Sequence, residues 1–190
     1  MSFTVIIPAR LKSSRLPDKP LADICGRPMI VRVAERALSC GADRVVVAVD
    51  DASVYEACAA AGLDVIMTDP HHPTGTDRLA EAVAKIGLAD DEIVVNLQGD
   101  EPLMPLNVIR DGADLLASRP DCAMATAAHT IHNVESFFNP NVVKVVLDDR
   151  GTALTFSRAP IPWPRDHFRE TKESLPEGFA PLHHLGLYAY

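Results

Sequence analysis

Short apolar runs alternate with helical patterns along this chain, and that alternation limits the fold more than any other feature. The runs are residues 3–7, 44–49, 64–67, 92–97 and 142–147. Such continuous runs are typical of parallel strands that are covered on both faces. Apolar residues with helical spacing lie between them, at residues 29–38, 79–86 and 106–116. The pattern predicts an α/β fold with a doubly wound, mostly parallel sheet.

Size and composition exclude several classes of protein. The chain has 190 residues, which predicts a single domain. Its formal net charge of -8 argues against a nucleic-acid partner. No apolar run approaches the length of a membrane span, so we expect no membrane partner. The four cysteines are far apart and form no C-x-x-C pair, which indicates free thiols in the cytoplasm.

The loop after the first apolar run is strongly basic. In VIIPARLKSSRLPDKPL, Arg10, Lys12, Arg15 and Lys19 fall within ten positions, where an even spread of charge gives about one. Ligands of open α/β sheets bind at the carboxyl ends of strands, and Arg and Lys suit phosphate oxygens. The loop therefore predicts a polyphosphate site, with a solvated surface loop as the alternative.

Two common nucleotide-binding motifs are absent from the sequence. There is no G-x-x-x-x-G-K-[ST] and no G-x-G-x-x-G. Their absence weighs against P-loop NTPases and NAD dehydrogenases.

A second polar loop, NLQGDEP, follows the run at residues 92–97. If this strand lies beside the first, as in the usual doubly wound order, the loop faces the basic loop. Asp100 would then suit Mg²⁺, which favours one or two carboxylates together with substrate phosphates. Gly99 would let the backbone approach a ligand closely. A simple turn, with Asp100 bonding its own backbone, is the alternative.

Other polar residues have structural interpretations. Thr76 is the expected N-cap of the following helix. Asp50 and Asp51 end the second strand, where we expect capping. His71 and His72 are expected in an exposed loop rather than at a metal site.

The amino-acid composition changes near the end of the chain. Residues 160–181 are rich in proline and charge, which predicts an irregular arm or lid. The chain then ends on the strand-like HHLGLYAY. Because this ending is apolar, we expect further sequence beyond Tyr190.

The ordered motifs resemble those of the CMP-Kdo synthetase (3-deoxy-manno-octulosonate cytidylyltransferase) family. They are VIIPARLKSSRLPDKPL, DICGRPMI, HHPTGTDRLAEA, VVNLQGDEP, NPNVVKVVLDDRGTALTFSRAPIPWPRD and HHLGLYAY. The resemblance implies a Rossmann-like fold of the nucleotide-diphospho-sugar transferase type with a Pro-rich arm. It implies transfer of CMP from CTP to the anomeric hydroxyl of Kdo, with release of pyrophosphate, for lipopolysaccharide synthesis. It also implies Mg²⁺, a homodimer and a cytoplasmic location.

The resemblance also assigns residues to the nucleotide side of the reaction. Asp100 matches a Mg²⁺ ligand, and the phosphates are matched by Arg15 and Lys19, so that these three are the expected catalytic residues. The other residues expected at the nucleotide are Pro8, Ala9, Arg10, Gly75 and Thr76.

The resemblance further assigns the residues expected to bind the sugar acid, which are Arg78, Gln98, Arg158, Arg165, His184 and Tyr188. It implies a nucleotide-binding core over residues 1–157 and an acid-binding and dimerisation arm with a strand over residues 158–190. A second magnesium-binding aspartate is expected beyond Tyr190. Two alternatives stay open, namely the same chemistry on another acid sugar such as sialic acid, and a non-catalytic nucleotide-binding fragment.

Overall fold

The computed structural model describes residues 2–12 and 16–190, and these fall into two compact units. Unit 1 comprises residues 2–12, 16–125 and 187–190, and unit 2 comprises residues 126–186. The last strand of the chain runs from unit 2 into unit 1. The predicted division at residue 158 is functional rather than structural, and it stays a prediction.

Unit 1 contains alternating strands and helices. The strands are β1 (Thr4–Ala9), β2 (Arg44–Val49), β3 (Asp64–Met67) and β4 (Val94–Asn96). The α-helices are α1 (Met29–Ala37), α2 (Ala52–Ala60), α3 (Gly75–Ile86) and α4 (Leu106–Ser118), and a 3₁₀ turn covers Lys19–Leu21.

These strands pair in the parallel order β3-β2-β1-β4. The register places Val5 between Val45 and Val95. All three valines are buried, as expected for a sheet covered on both faces. The predicted α/β fold with a mostly parallel sheet is therefore confirmed here. The prediction that the fourth strand lies beside the first is also confirmed, so the two polar loops leave neighbouring strands.

A capping box fixes the start of helix α3. The N-cap of α3 is Thr74, whose side chain accepts from the Asp77 amide while Asp77 accepts from the Thr74 amide. The prediction of Thr76 as the cap is wrong, because Thr76 already lies in the first turn. The Thr-x-x-Asp spacing of a capping box is the sequence signal for Thr74.

Unit 2 contains short strands, short helices and one long strand. They are β5 (Ala125–Thr130, whose first residue lies in unit 1), α5 (Val134–Phe138), β6 (Lys144–Leu147), β7 (Ala153–Ser157), α6 (Arg165–Glu170) and β8 (Leu182–Ala189).

Strand β6 pairs antiparallel with both β7 and β8. The expectation that the run at residues 142–147 is a parallel strand is therefore wrong. It contributes an antiparallel hairpin, whose turn at Asp148–Gly151 carries Gly151 at a φ of +79°. A buried apolar run is compatible with both parallel and antiparallel pairing. The length and type of the chain connections decide between them.

The Pro-rich segment is more ordered than the expected irregular arm. It contains α6, and Phe168 of that helix packs against Phe137, Phe138 and Trp163. Phe137 is fully buried. This aromatic cluster explains why the prolines do not prevent a defined structure here.

Among the described residues, no helix is both long enough and apolar enough to cross a membrane.

Candidate nucleotide site

A cleft of about 510 Å³ opens where the carboxyl ends of β1 and β4 meet. Residues from both predicted loops line it, and the sequence-predicted members are Pro8, Ala9, Arg10, Lys19, Gly75, Arg78, Gln98 and Asp100. Thr74 lines the cleft instead of Thr76. The cleft thus brings together most of the residues predicted for the nucleotide side, although their roles there stay predictions.

Arg15 lies outside the described residues, so its predicted contact with the triphosphate stays a prediction. Lys12, interpreted above only as part of the basic loop, is exposed and lines the cleft.

Lys19 and Asp100 form an ion pair within the cleft. Both side chains are partly exposed, at 32% and 41%. A phosphate and a metal ion can therefore reach them. Asp100 thus points across the cleft toward a cation, whereas the alternative of a self-bonded turn predicts that it bonds its own backbone.

Gly99 allows β1 and the second polar loop to approach each other. A Cβ at this position would lie 3.0 Å from the Pro8 carbonyl oxygen and 3.2 Å from Cδ1 of Ile30. The glycine is therefore needed for packing inside the protein. Contact between its backbone and a ligand stays a prediction.

A buried ion pair holds Arg78, one of the residues that line the cleft. Nη2 of Arg78 lies 3.0 Å from Oδ2 of Asp50, and the two side chains are 1% and 7% exposed. Arg78 also donates to the hydroxyl of Thr68. Burial lowers the pKa of Arg78, and the negative charge of Asp50 opposes that effect.

Asp50 in turn holds the beginning of the basic loop. Its Oδ1 accepts from the Leu11 amide at 2.9 Å. The expectation of a capping role is wrong for Asp50, although Asp51 does cap α2 by accepting from the Ser53 amide. Asp50 thus supports the cleft without lining it. The sequence did not reveal this role, because a single aspartate at a strand end gives no sign of its buried partner.

The loop before α3 is also tied to the cleft. Arg10 donates to the carbonyl oxygen of His72 at 3.0 Å. His71 is exposed as expected, but the expectation is wrong for His72, which is partly buried and donates to Glu81. The Glu81 carboxylate has a pKa lowered to about 2, chiefly by hydrogen bonds from Lys85, the Asp69 amide and His72.

The described residues of the cleft offer Mg²⁺ one carboxylate ligand, Asp100. Within residues 2–12 and 16–190, no three His, Cys, Asp or Glu side chains come together as a metal site. Asp100 offers a single carboxylate, so a metal ion there would need further oxygen ligands, and substrate phosphates can supply some of them.

Two further residues predicted to bind the acid lie in unit 1. Gln98 lines the cleft and donates to Oδ1 of Asn96 at 3.3 Å. Tyr188 is paired with Asn96 in the ladder of β4 and β8 and stacks on Tyr190. Burial raises the pKa of Tyr188. Their roles in acid binding stay predictions.

The remaining acid-binding candidates lie in unit 2. Arg158 donates to the Pro140 carbonyl oxygen at 2.8 Å, and exposed Arg165 pairs with Asp166 at the start of α6. His184 Nε2 lies 2.9 Å from Oγ1 of Thr126, and the ring packs edge-on against Phe156. Burial lowers the pKa of His184, which favours the neutral imidazole. Their contact with an acid also stays a prediction.

A parallel sheet with a cationic cleft at the carboxyl ends of β1 and β4 is the arrangement of a nucleotide-binding α/β protein. The family profile described as Cytidylyltransferase matches residues 4–190, and the chain belongs to this family.

Individual relatives narrow the comparison. The chain is 60% identical to a 3-deoxy-manno-octulosonate cytidylyltransferase from Herminiimonas arsenicoxydans, over all of this chain and 75% of that protein. A solved structure of CMP:2-keto-3-deoxy-manno-octonic acid synthetase, complexed with CTP, is 42% identical with a TM-score of 0.86. That match covers all of this chain and 73% of the other.

More distant structures share the fold alone. HddC from Yersinia pseudotuberculosis is 14% identical with a TM-score of 0.60, over 98% of this chain and 76% of that one. The predicted nucleotidyltransferase type of fold is confirmed by the match to the CTP-bound synthetase structure.

Proposed function

We propose that the protein transfers CMP from CTP to the anomeric hydroxyl of Kdo, giving CMP-Kdo and pyrophosphate for lipopolysaccharide synthesis. The observation that carries this proposal is the cleft that unites the basic loop with Asp100. The relatives that carry Kdo in their names support this acid. They do not favour the alternatives of another acid sugar or a non-catalytic fragment.

In this reaction, the anomeric oxygen forms a bond to the α-phosphorus of CTP, and the bond to the pyrophosphate oxygen breaks. The hydroxyl proton is released. The barrier falls when the reactants are aligned and when the charge on the phosphate oxygens is stabilised. Lys19 and Arg15 are the proposed cations for that charge, and the backbone of residues 8–10 is proposed to contact the cytosine.

Mg²⁺ is the proposed cofactor, with Asp100 as its ligand from this chain. When bound together with CTP, the metal would neutralise charge on the phosphate oxygens and help to orient them. Substrate binding then has a specific consequence for the side chains. Lys19 would then be available to a phosphate and Asp100 to the metal, in place of the ion pair that they form with each other.

On the acid side, Arg158 and Arg165 are the proposed partners of the sugar carboxylate, because guanidinium groups match carboxylates in geometry. His184 is proposed to act as a hydrogen-bonding group. Arg78 is buried against Asp50, so we propose that it supports the cleft in addition to any contact with substrate.

We also propose that the protein works as a cytoplasmic homodimer. The proposed nucleotide substrate, CTP, supports that location. The dimer is supported by exposed apolar side chains of unit 2, namely Leu154 and Phe156 of β7 and Trp163 of the arm. Sedimentation analysis tests the dimer, and a single species with the monomer mass would contradict it.

The test of the function is pyrophosphate release in the presence of CTP, Mg²⁺ and Kdo, with sialic acid in a parallel reaction. We expect release that needs all three components and is much faster with Kdo. No release with Kdo, or faster release with sialic acid, would overturn the proposal.

A further inference from the structure

The loop between β3 and α3, residues 68–74, forms one wall of the cleft through Pro73 and Thr74. Its backbone also holds a cleft side chain, because Arg10 donates to the His72 carbonyl oxygen at 3.0 Å. The position of the Arg10 guanidinium therefore depends on where this loop places that carbonyl.

The side chain of Glu81 in α3 holds the middle of the loop. Its Oε2 accepts from the Asp69 amide at 2.8 Å and from Nε2 of His72. These two donors lie on either side of His71, so one carboxylate oxygen joins both sides of the bend to α3. The ends of the loop have other contacts, from Arg78 to Thr68 and between Thr74 and Asp77. Glu81 is not itself among the residues that line the cleft.

The other carboxylate oxygen of Glu81 has a separate partner. Oε1 lies 2.7 Å from Nζ of Lys85, one turn further along α3. Lys85 also donates to the Met67 carbonyl oxygen at 2.8 Å, before the loop begins. The chain thus offers a variant that removes one contact of Glu81 and leaves its grip on the loop intact.

We propose that Glu81 is a positioning residue for the nucleotide. It acts through His72 and the Asp69 amide to hold the carbonyl that orients the Arg10 guanidinium, a cation that lines the cleft and is available to CTP. This inference rests on the proposed function, since it takes CTP as the ligand of the cleft. It adds a residue that touches no substrate and still sets the affinity for CTP.

The test measures CTP binding to the free protein by calorimetry, together with thermal unfolding, for matched variants. Glu81→Ala removes both loop contacts, and we expect its Kd for CTP to rise about tenfold, the effect of losing charged hydrogen bonds. Glu81→Gln keeps a neutral acceptor and should fall between wild type and Glu81→Ala. Lys85→Met keeps the loop contacts, and its Kd should stay within about twofold of wild type.

A second variant keeps the test decisive if Glu81→Ala folds poorly. His72→Leu removes one loop donor, whereas His72→Gln restores an N–H that can reach Glu81. We expect weaker CTP binding in the first and recovery in the second. In steady-state kinetics, the KM for CTP should rise in His72→Leu, with kcat at saturating CTP within about threefold of wild type.

Different outcomes separate the two proposals. If wild type binds CTP and the Glu81 and His72 variants bind it equally well, the positioning role is wrong and the proposed function survives. If Lys85→Met weakens binding as much as Glu81→Ala, the effect reports the stability of α3, and the positioning role is again wrong. If wild type itself binds no CTP, the proposed function fails.

Discussion

The two units hold their candidate residues in different ways. In unit 1, the two polar loops of the cleft follow β1 and β4, whose residues are almost all buried, and the buried pair of Arg78 and Asp50 joins α3 to the Leu11 amide of the basic loop. In unit 2, Arg158 and Arg165 are exposed, and the backbone around Arg158 is held by carbonyl contacts with Lys144. The residues proposed for the nucleotide thus lie next to a buried core, whereas the two arginines proposed for the acid are exposed. A side chain that is held in a buried core has little rotamer freedom, whereas an exposed arginine keeps more of it.

The largest expected effect concerns the buried pair of unit 1. Asp50→Ala leaves Arg78 buried and without its carboxylate, which should lower the free energy of unfolding by about 3–5 kcal/mol. The matched control is Asp64→Ala, which breaks a pair with Arg44 whose side chains are 40% and 41% exposed. The control should lose less than about 1 kcal/mol. Urea unfolding measures both, and equal losses would contradict the contrast between the two pairs.

A comparable effect on activity should separate the two sides of the reaction. Lys19→Met should lower kcat/KM for CTP about a hundredfold, because a cation at the phosphates is lost. Arg158→Met should raise the KM for Kdo about tenfold and leave the KM for CTP unchanged. Steady-state kinetics with each substrate varied measures the split. If Arg158→Met raises the KM for CTP as much as the KM for Kdo, the separation of the two sides is wrong.

A smaller effect is expected from the buried lysine of unit 2. Lys144 is fully buried and donates to the carbonyl oxygens of Asn139, Val142 and Arg158 at 2.6–3.0 Å. Burial lowers its pKa. Lys144→Met leaves those carbonyls without their donor, and we expect a loss of about 1–3 kcal/mol in the free energy of unfolding.

The control for Lys144 is Lys172→Met, on the exposed arm. Lys172 Nζ lies 5.9 Å from the ring centre of Trp163, and its loss should cost less than about 1 kcal/mol. Chemical unfolding of both variants decides the matter. If the two losses are the same, the carbonyl contacts of Lys144 do not stabilise unit 2.

The smallest expected effect is a change in pH dependence. The folded-state pKa of Glu81 is about 2, below its ordinary value of 4.5. Its contribution to stability is therefore fully present above pH 4.5 and is lost as the pH falls toward 2. Glu81→Gln should flatten the loss of stability over that window and change little in the slope above it. Unfolding at a series of pH values measures the slope, and an unchanged acid limb would contradict this assignment.

The sequence predicts those parts of the fold that depend on repeated patterns. The buried valines of β1, β2 and β4 form continuous apolar runs, and the usual parallel order of such runs brings the loop of Lys19 opposite the loop of Asp100. The apolar pattern does not predict strand orientation. The run at β6 would look the same in a parallel sheet as it does in the observed antiparallel hairpin. The Pro-rich composition of the arm also leads to a wrong expectation. It predicts irregular structure and gives no sign that Phe168 packs in an aromatic cluster.

Single contacts between distant parts of the chain could not be predicted. The partners Arg78 and Asp50 are 28 residues apart, and nothing periodic joins them. The contact of His72 with Glu81 is closer in sequence, but it depends on how the loop folds back over α3. The capping box of Thr74 is different, because its spacing is visible in the sequence and distinguishes Thr74 from Thr76.

The central claim is that this chain joins CMP to Kdo, and the most direct measurement identifies the product. Reactions with CTP, Mg²⁺ and Kdo are analysed by ³¹P NMR and mass spectrometry, with CTP alone and with CTP plus sialic acid as controls. The account predicts a phosphodiester that joins CMP to Kdo, formed together with one equivalent of pyrophosphate and found only with Kdo. CTP that stays intact with Kdo, or a sialic acid conjugate as the main product, would contradict it.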